Sequence, residues 1–226
     1  MAVTLLRILA VVAAGYLVGG IPFGVIVARL LYRVDITTLG SGNTGATNVL
    51  RNLGWKPAIV VAVLDVAKGV GPAFLALAFV DPTWGANGRD MFVVLAGVAA
   101  IIGHMYSPYF RLRGGKGIAT AGGALIVLMP AAFGVVAAVF VAIAALGRIV
   151  SIASIAAALS LPVAIVALYP GRPVLLVFAL AVVPLILWAH RTNIGRLMRG
   201  EEPRITMGRV RGGPSGGKDE TGEGPA

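Results

Sequence analysis

The sequence predicts an all-α integral membrane protein, a polytopic bundle of seven transmembrane helices, some of them short or broken. Three observations predict this. Hydrophobic residues make up 58% of the 226 and charged residues only 12%, whereas soluble domains run about half apolar and about a quarter charged. The mean hydropathy is +0.92, and a small soluble chain of that composition could not cover its surface. The apolar residues also gather into stretches near the ~20 residues that cross a hydrocarbon core.

The first stretch, 4–31, is interrupted by Gly19, Gly20 and Pro22. It is longer than the h-region of a signal peptide, and more such stretches follow, so it reads as a retained span kinked or extended at Pro22. The second is 57–80 and the third 90–106. The fourth, 118–147, is broken by Met129-Pro130, and 150–169 and 173–189 complete the set. The chain reads as one transmembrane domain, 1–199. It is followed by a polar tail, 200–226, that lacks apolar area to bury and is expected to be disordered in the cytoplasm.

Charge orients these spans. Segment 107–117 carries Arg111, Arg113 and Lys116, and segment 190–211 begins with His190, Arg191, Arg196 and Arg199, whereas loop 81–90 carries Asp81, Arg89 and Asp90. The positive-inside rule places the basic segments in the cytoplasm. An even number of crossings must then separate Lys116 from His190. Two short passes meeting at Pro130 satisfy this and give seven helices, with Ser151 on the cytoplasmic side. Five full spans with one stretch lying at the interface is the other solution. The net charge of +10 is thus membrane orientation and anionic substrates, and no nucleic-acid partner is expected. The absence of cysteine excludes thiolate chemistry, two histidines are too few for a histidine metal cluster, and no metal or cofactor is expected.

Three polar segments stand out. In 39–51, Gly40, Gly42 and Gly45 alternate with Ser41, Asn43, Thr44, Thr47 and Asn48, and a helical continuation puts Thr47 and Arg51 on one face. A glycine loop opening a helix that carries an arginine suits a phosphate, and it equally suits a capped turn. In 103–120, Gly114, Gly115, Lys116 and Gly117 join backbone amides to a cation. Phe110 stands where a Walker A loop needs glycine and Gly117 where it needs Ser or Thr, so an ATPase is not supported. In 190–202, His190 and Asn193 share a helix face beside arginines that can snorkel at the surface. Within the spans, Asp65 and Lys68 at i,i+3 are expected to pair and orient loops, His104 reads as a helix-end residue, and Ser151 and Ser154 fit capping positions.

Taken together, GSGNTGATNVLR (40–51), GHMYSPYFRLRGGKGIAT (103–120) and HRTNIGRLMRGEE (190–202) resemble the signature segments of the PlsY family of bacterial acyl-phosphate:glycerol-3-phosphate acyltransferases. GGIPFG (19–24), LDVAKG (64–69) and RIVSIASI (148–155) resemble it in the same order. The resemblance implies transfer of a fatty acyl group from a long-chain acyl phosphate to the 1-hydroxyl of glycerol 3-phosphate, giving lysophosphatidic acid and phosphate at the cytoplasmic face of the inner membrane. It implies a catalytic set of Ser41, Arg51, Lys116, His190 and Asn193. Asn43, Thr47, Asn48, Gly114, Gly115, Gly117 and Ser154 join that set in binding substrate. The proton acceptor stays open between His190 and a substrate phosphate. A His-x-x-x-x-Asp acyltransferase is excluded, because Tyr109 and Gly195 stand in the fifth positions after His104 and His190. A transporter for a phosphorylated metabolite is the competing reading.

Overall fold

A computed structural model describes residues 2–205, and these are helical with no strand. Helices α1 (Ala2–Gly19) and α2 (Phe23–Tyr32) form the first apolar segment. Pro22 lacks an amide hydrogen, so the helix breaks there and leaves carbonyls without their usual partners. In lipid such groups must be satisfied by protein. Ser107 Oγ donates to the Gly20 carbonyl at 2.5 Å, and Lys68 Nζ donates to the Ile21 carbonyl at 2.9 Å. The short amphipathic helix α3 (Ala46–Leu53) follows, then the long α4 (Trp55–Ala78) and α5 (Gly85–Met105).

Close helix packing rests on small residues, as is usual where lipid supplies no hydrophobic drive between helices. A side chain at Gly19 would overlap Ala100, and one at Gly103 would overlap the Tyr16 carbonyl, so α1 and α5 meet backbone to backbone. Helix α6 (Ile118–Leu128) meets α4 likewise, with Gly69 against Thr120 and Gly123 against Val66.

The apolar stretch 118–147 divides where Pro130 predicts. Met129 leaves the helical conformation, and Pro130 opens α7 (Pro130–Gly147). With 11 residues, α6 is only about 16 Å long, roughly half the ~30 Å of a bilayer core. Helices α8 (Val150–Leu168), α9 (Pro173–Ala189) and α10 (Arg191–Met198) complete the bundle, with a bend of 60° between α9 and α10 at His190. Among the described residues five segments are individually long and apolar enough to cross a membrane, and the bent α9–α10 pair makes a sixth. Helix α6 is apolar but shorter than these, so the expected count of seven is approximate.

The two ends of the bundle differ in charge. At one end Arg7 pairs with Asp81 at 3.3 Å and Arg172 with Asp90 at 2.5 Å. Val127 and Leu128 at the end of α6 pack beside Trp84 and Phe92, and the Ala131 amide donates to the Tyr169 hydroxyl. The opposite end gathers Lys116, Ser151, Asn193 and Glu202 through direct hydrogen bonds. Since Lys116 and Ser151 share that end, α6 runs away from it and α7 returns.

Within residues 200–205, assigned by sequence to the tail, Glu202 and Ile205 touch the bundle while Gly200, Glu201, Pro203 and Arg204 are exposed. Glu202 is 7% exposed, and the Ile205 amide donates to the Arg148 carbonyl at 2.7 Å. A carboxylate with buried partners holds a segment whose composition alone has nothing to bury. The remainder of the expected tail, 206–226, lies outside the described residues.

The natural absence of cysteine makes the sidedness directly testable. Single cysteines at the exposed positions Arg113 and Arg148 are expected to react with an impermeant maleimide from the same side of sealed vesicles. Cysteines at Asn87 and Pro170 should react only from the other side. Opposite labelling of positions 113 and 148 would disprove the two-pass reading of 118–147.

Candidate active site

A cavity of about 380 Å³ opens among α3, α4, α6, α7, α8 and the α9–α10 bend. Its polar end is lined by Ser41, Asn43, Thr47, Asn48, Arg51, Lys116, Gly117, Ser154, His190 and Asn193. Its other end is apolar, with Ala62, Val66, Gly122, Phe133, Val136 and Phe140 among its walls. Residues 41 to 193 of the sequence-predicted set thus meet in one place. Gly114 and Gly115 alone stand behind the wall.

The first loop is organised by Asn48. Its side-chain carbonyl accepts the Ser41 amide at 3.1 Å, and its amide donates to the carbonyls of Ile36, Leu39 and Asn43 at 2.9–3.1 Å. Gly40 and Gly42 take the positive φ values that this wrapping requires. Asn43 in turn accepts the Gly45 amide at 3.0 Å, opening α3. Asn48, expected to bind substrate, has both polar groups engaged inside the loop. Its observed work is to hold Ser41 and the start of α3 in place. Arg51, one turn further on, reaches the Pro203 carbonyl at 3.0 Å, and its buried Nε has no hydrogen-bond partner among the described residues.

The second loop leaves α5 through Arg111 and Leu112, both at positive φ, and enters α6 through Gly117 at φ 81°. Gly115 was expected to present its amide to an anion. Instead that amide donates to the His104 carbonyl at 3.0 Å. A side chain at Gly115 would overlap the His104 ring, and one at Gly114 would overlap the His104 carbonyl. These two glycines therefore answer to close packing. Gly117, Ile118 and Ala119 bring the N-terminus of α6 to the cavity, where helix amides lack intrahelical partners.

Glu202 joins the segments and was missed by sequence reasoning. Its Oε1 accepts from Asn193 Nδ2 at 2.6 Å and Ser151 Oγ at 3.0 Å, and its Oε2 accepts from Arg196 Nε at 2.7 Å. Arg51 stands 3.7 Å away, and Lys116 Nζ hydrogen-bonds Asn193 Oδ1. Burial alone would raise the Glu202 carboxyl, but hydrogen bonds from Arg196, Asn193 and Ser151 outweigh it and hold its pKa below the ordinary value. Burial pushes the Lys116 ammonium down to about 8, with Arg196 and Arg51 adding to the fall and Glu202 opposing it. His190 is fully enclosed, and its Nδ1 lies 2.8 Å from the Ile186 carbonyl. A carbonyl can only accept, so Nδ1 carries the proton and Nε2 is left as an acceptor.

A cation-rich rim beside an apolar groove, within helices long and apolar enough to cross a membrane, fits a membrane protein that handles an anionic lipid. The family model for glycerol-3-phosphate acyltransferase matches residues 9–200, and the chain belongs to that family. A glycerol-3-phosphate acyltransferase of Pelodictyon phaeoclathratiforme is 37% identical, over 91% of this chain and 99% of the relative. One of Synechococcus is 42% identical, over 89% and 96%. The fold is similar to the crystal structure of PlsY, an integral membrane glycerol 3-phosphate acyltransferase, in its glycerol 3-phosphate form. The TM-score is 0.79 at 39% identity, covering 88% of this chain and 96% of that one. The lysophosphatidic acid form of PlsY matches with a TM-score of 0.77. The protein is a membrane acyltransferase, and the transporter reading falls.

The Glu202 network yields a prediction. Glu202→Gln can keep one acceptor oxygen but removes the charge facing Arg196 and Arg51. Hydrogen bonds to charged groups contribute about 1.5–3 kcal/mol each, so activity is expected to fall at least tenfold with normal membrane accumulation. Full turnover by Glu202→Gln, measured on purified protein, would show that the carboxylate charge has no part in the site.

Proposed function

We propose that the protein transfers a fatty acyl group from a long-chain acyl phosphate to the 1-hydroxyl of glycerol 3-phosphate, with the site facing the cytoplasm. The supporting observation is the cavity itself, which puts the N-terminus of α6, Lys116 and Arg51 at one end and an apolar groove at the other. Two phosphate-bearing head groups need that rim, and an acyl chain needs the groove.

Lys116 and the N-terminus of α6 stabilise the phosphate that leaves, because positive potential is concentrated there. Arg51 and Ser41 orient glycerol 3-phosphate, and Asn43, Thr47, Ser154 and Asn193 complete its surroundings. The glycerol oxygen attacks the acyl carbon, the bond from that carbon to the phosphate oxygen breaks, and phosphate departs with the electron pair. Nε2 of His190 and the substrate phosphates are the acceptors available to the hydroxyl proton. An acyl phosphate is already activated, so holding the two reactants in line supplies the main effect, up to about 7–11 kcal/mol in favourable cases. The cytoplasmic orientation is supported by Arg111, Arg113, Arg148, Arg191 and Arg199 at the site's end of the bundle.

Purified enzyme in detergent, with no sealed compartment, is expected to release phosphate from palmitoyl phosphate only when glycerol 3-phosphate is present. Absence of that dependence would refute the donor. Ser41→Ala and Arg51→Ala should each remove most of the activity while the protein still inserts, and wild-type turnover in both would refute their assignment.

The pH profile gives a separate test. Lys116 is charged below its pKa of about 8 and loses charge as pH rises through it. Since kcat/KM reports ionisations of the free enzyme, kcat/KM for acyl phosphate should fall above about pH 8. Lys116→Arg should move that limb to higher pH, and an unchanged alkaline limb in this variant would exclude Lys116 as its source.

A further inference from the structure

Beyond α10 the chain doubles back onto the site along a path that the acyl transfer itself does not use. Helix α10 ends in a reversal at Gly200, which takes φ 69°. The Gly200 amide donates to the Leu197 carbonyl at 3.1 Å, and the Glu201 amide to the Arg196 carbonyl at 2.8 Å. These two nested bonds are the reversal by which a glycine closes a helix and turns the chain away from its axis. A side chain at Gly200 would meet nothing, so the glycine answers to backbone conformation and not to space. Pro203 then disfavours the helical conformation at Glu202.

The segment is fastened at both ends. Glu202 is held by Ser151, Asn193 and Arg196. Further along, the Ile205 amide donates to the Arg148 carbonyl at 2.7 Å. Arg148 makes the α7–α8 turn at φ 54°, a conformation uncommon for a residue with a side chain. Between the two fastenings the Pro203 carbonyl accepts Arg51 Nη2 at 3.0 Å. Pro203 and Arg204 are exposed, yet this one carbonyl is turned to the site.

Arg51 needs such a hold. It lines the cavity beside Lys116 and Arg196, and like charges repel it. Glu202 at 3.7 Å offsets the repulsion, but that carboxylate also serves Arg196 at 2.7 Å. The Pro203 carbonyl is the hydrogen-bond acceptor that Arg51 has among the described residues, and it takes a single arm of the guanidinium. The buried Nε has no partner among the described residues. A planar fork gripped by one arm presents its other donors in a fixed plane. A group fixed before its ligand arrives loses less freedom on binding.

We propose that Pro203 and Ile205 are positioning residues: their segment is a strap from Glu202 to the α7–α8 turn, and its Pro203 carbonyl aims Arg51 at the phosphate of glycerol 3-phosphate. The inference rests on the reading of Arg51 as a residue that orients glycerol 3-phosphate. Acyl transfer leaves that phosphate unchanged, so a slack strap weakens binding alike in the ground state and the transition state. The signature of such a loss is a higher KM at nearly constant kcat.

The test uses full-length enzyme in detergent: wild type, Ile205→Pro, Ile205→Ala, Arg51→Ala, and the double variant combining Ile205→Pro with Arg51→Ala. Proline lacks the amide that reaches Arg148, whereas alanine keeps it. Ile205→Pro is expected to raise the KM for glycerol 3-phosphate about tenfold, the scale of one hydrogen bond to a charged group. Its kcat should stay within about twofold of wild type, and Ile205→Ala should match wild type. In the Arg51→Ala background the proline should add no further loss, because the two changes act through one contact. An unchanged or lowered KM in Ile205→Pro, a fall confined to kcat, or a full proline effect without Arg51 would overturn the proposal. Should Ile205→Pro fail to accumulate, Arg204→Gly decides against Arg204→Ala. Glycine leaves both fastenings but frees the backbone between them, and should raise the KM about threefold; equal KM values in this pair would overturn the proposal. Wild-type turnover by Arg51→Ala would instead remove the role of Arg51 itself, an outcome the Ile205 variants keep distinct.

Discussion

The arrangement depends on one buried carboxylate. Glu202 receives hydrogen bonds from α8 through Ser151 and from α10 through Asn193 and Arg196, and it faces Arg51 on α3. Asn193 carries the connection to Lys116 and the second loop. Four pieces of chain that are remote in sequence are thus tied at one point. Removing one partner of such a buried charged group leaves the others uncompensated, which costs more than the pair itself contributes. The same tie keeps Arg51, Lys116 and Arg196 near one another despite their like charge, so a cationic rim can exist before any anion arrives.

The lipid imposes the second constraint. A chain in hydrocarbon must satisfy its backbone internally, so interruptions persist only where protein covers them. The break at Pro22 is covered by Lys68 and Ser107. The break at Met129 is covered by helix packing, with Met129 itself fully buried. Each break has a consequence for the site. The first turns α2 towards the 33–45 loop, where Gly24 lies against Thr44. The second shortens α6 and lets α7 return beside it, forming the apolar wall of the groove.

Much of this was legible because polar residues are conspicuous in an apolar chain. The glycine-rich loop at 40–45, the Gly-Gly-Lys-Gly run and the His190–Asn193 pair all line or adjoin the cavity. Pro130 announced the break in 118–147 through its missing amide. Residues whose roles depend on distant partners were less legible. Glu202 lies past the last apolar stretch, where composition reads as tail, and its partner Ser151 is 51 residues away. A glutamate closing a run that holds His190, Asn193 and Arg196 is the signal that could have marked it. Asn48 and Gly115 were visible as polar or flexible positions, but only the fold shows that their hydrogen bonds turn inward.

A division of labour follows from this inward turning. Cations lining the cavity, such as Lys116 and Arg51, gain strength from sitting in a low-dielectric pocket, but only if they cannot relax towards one another or towards lipid. Asn48 fixes one loop by four hydrogen bonds, and Glu202 fixes the second through Asn193. Both fixings are made by buried polar side chains, where an unmade bond is expensive. Burial therefore strengthens the polar network at the cavity's rim. The same burial that favours partners for polar side chains also holds Arg51, Lys116 and Arg196 near one another around Glu202 and Asn193.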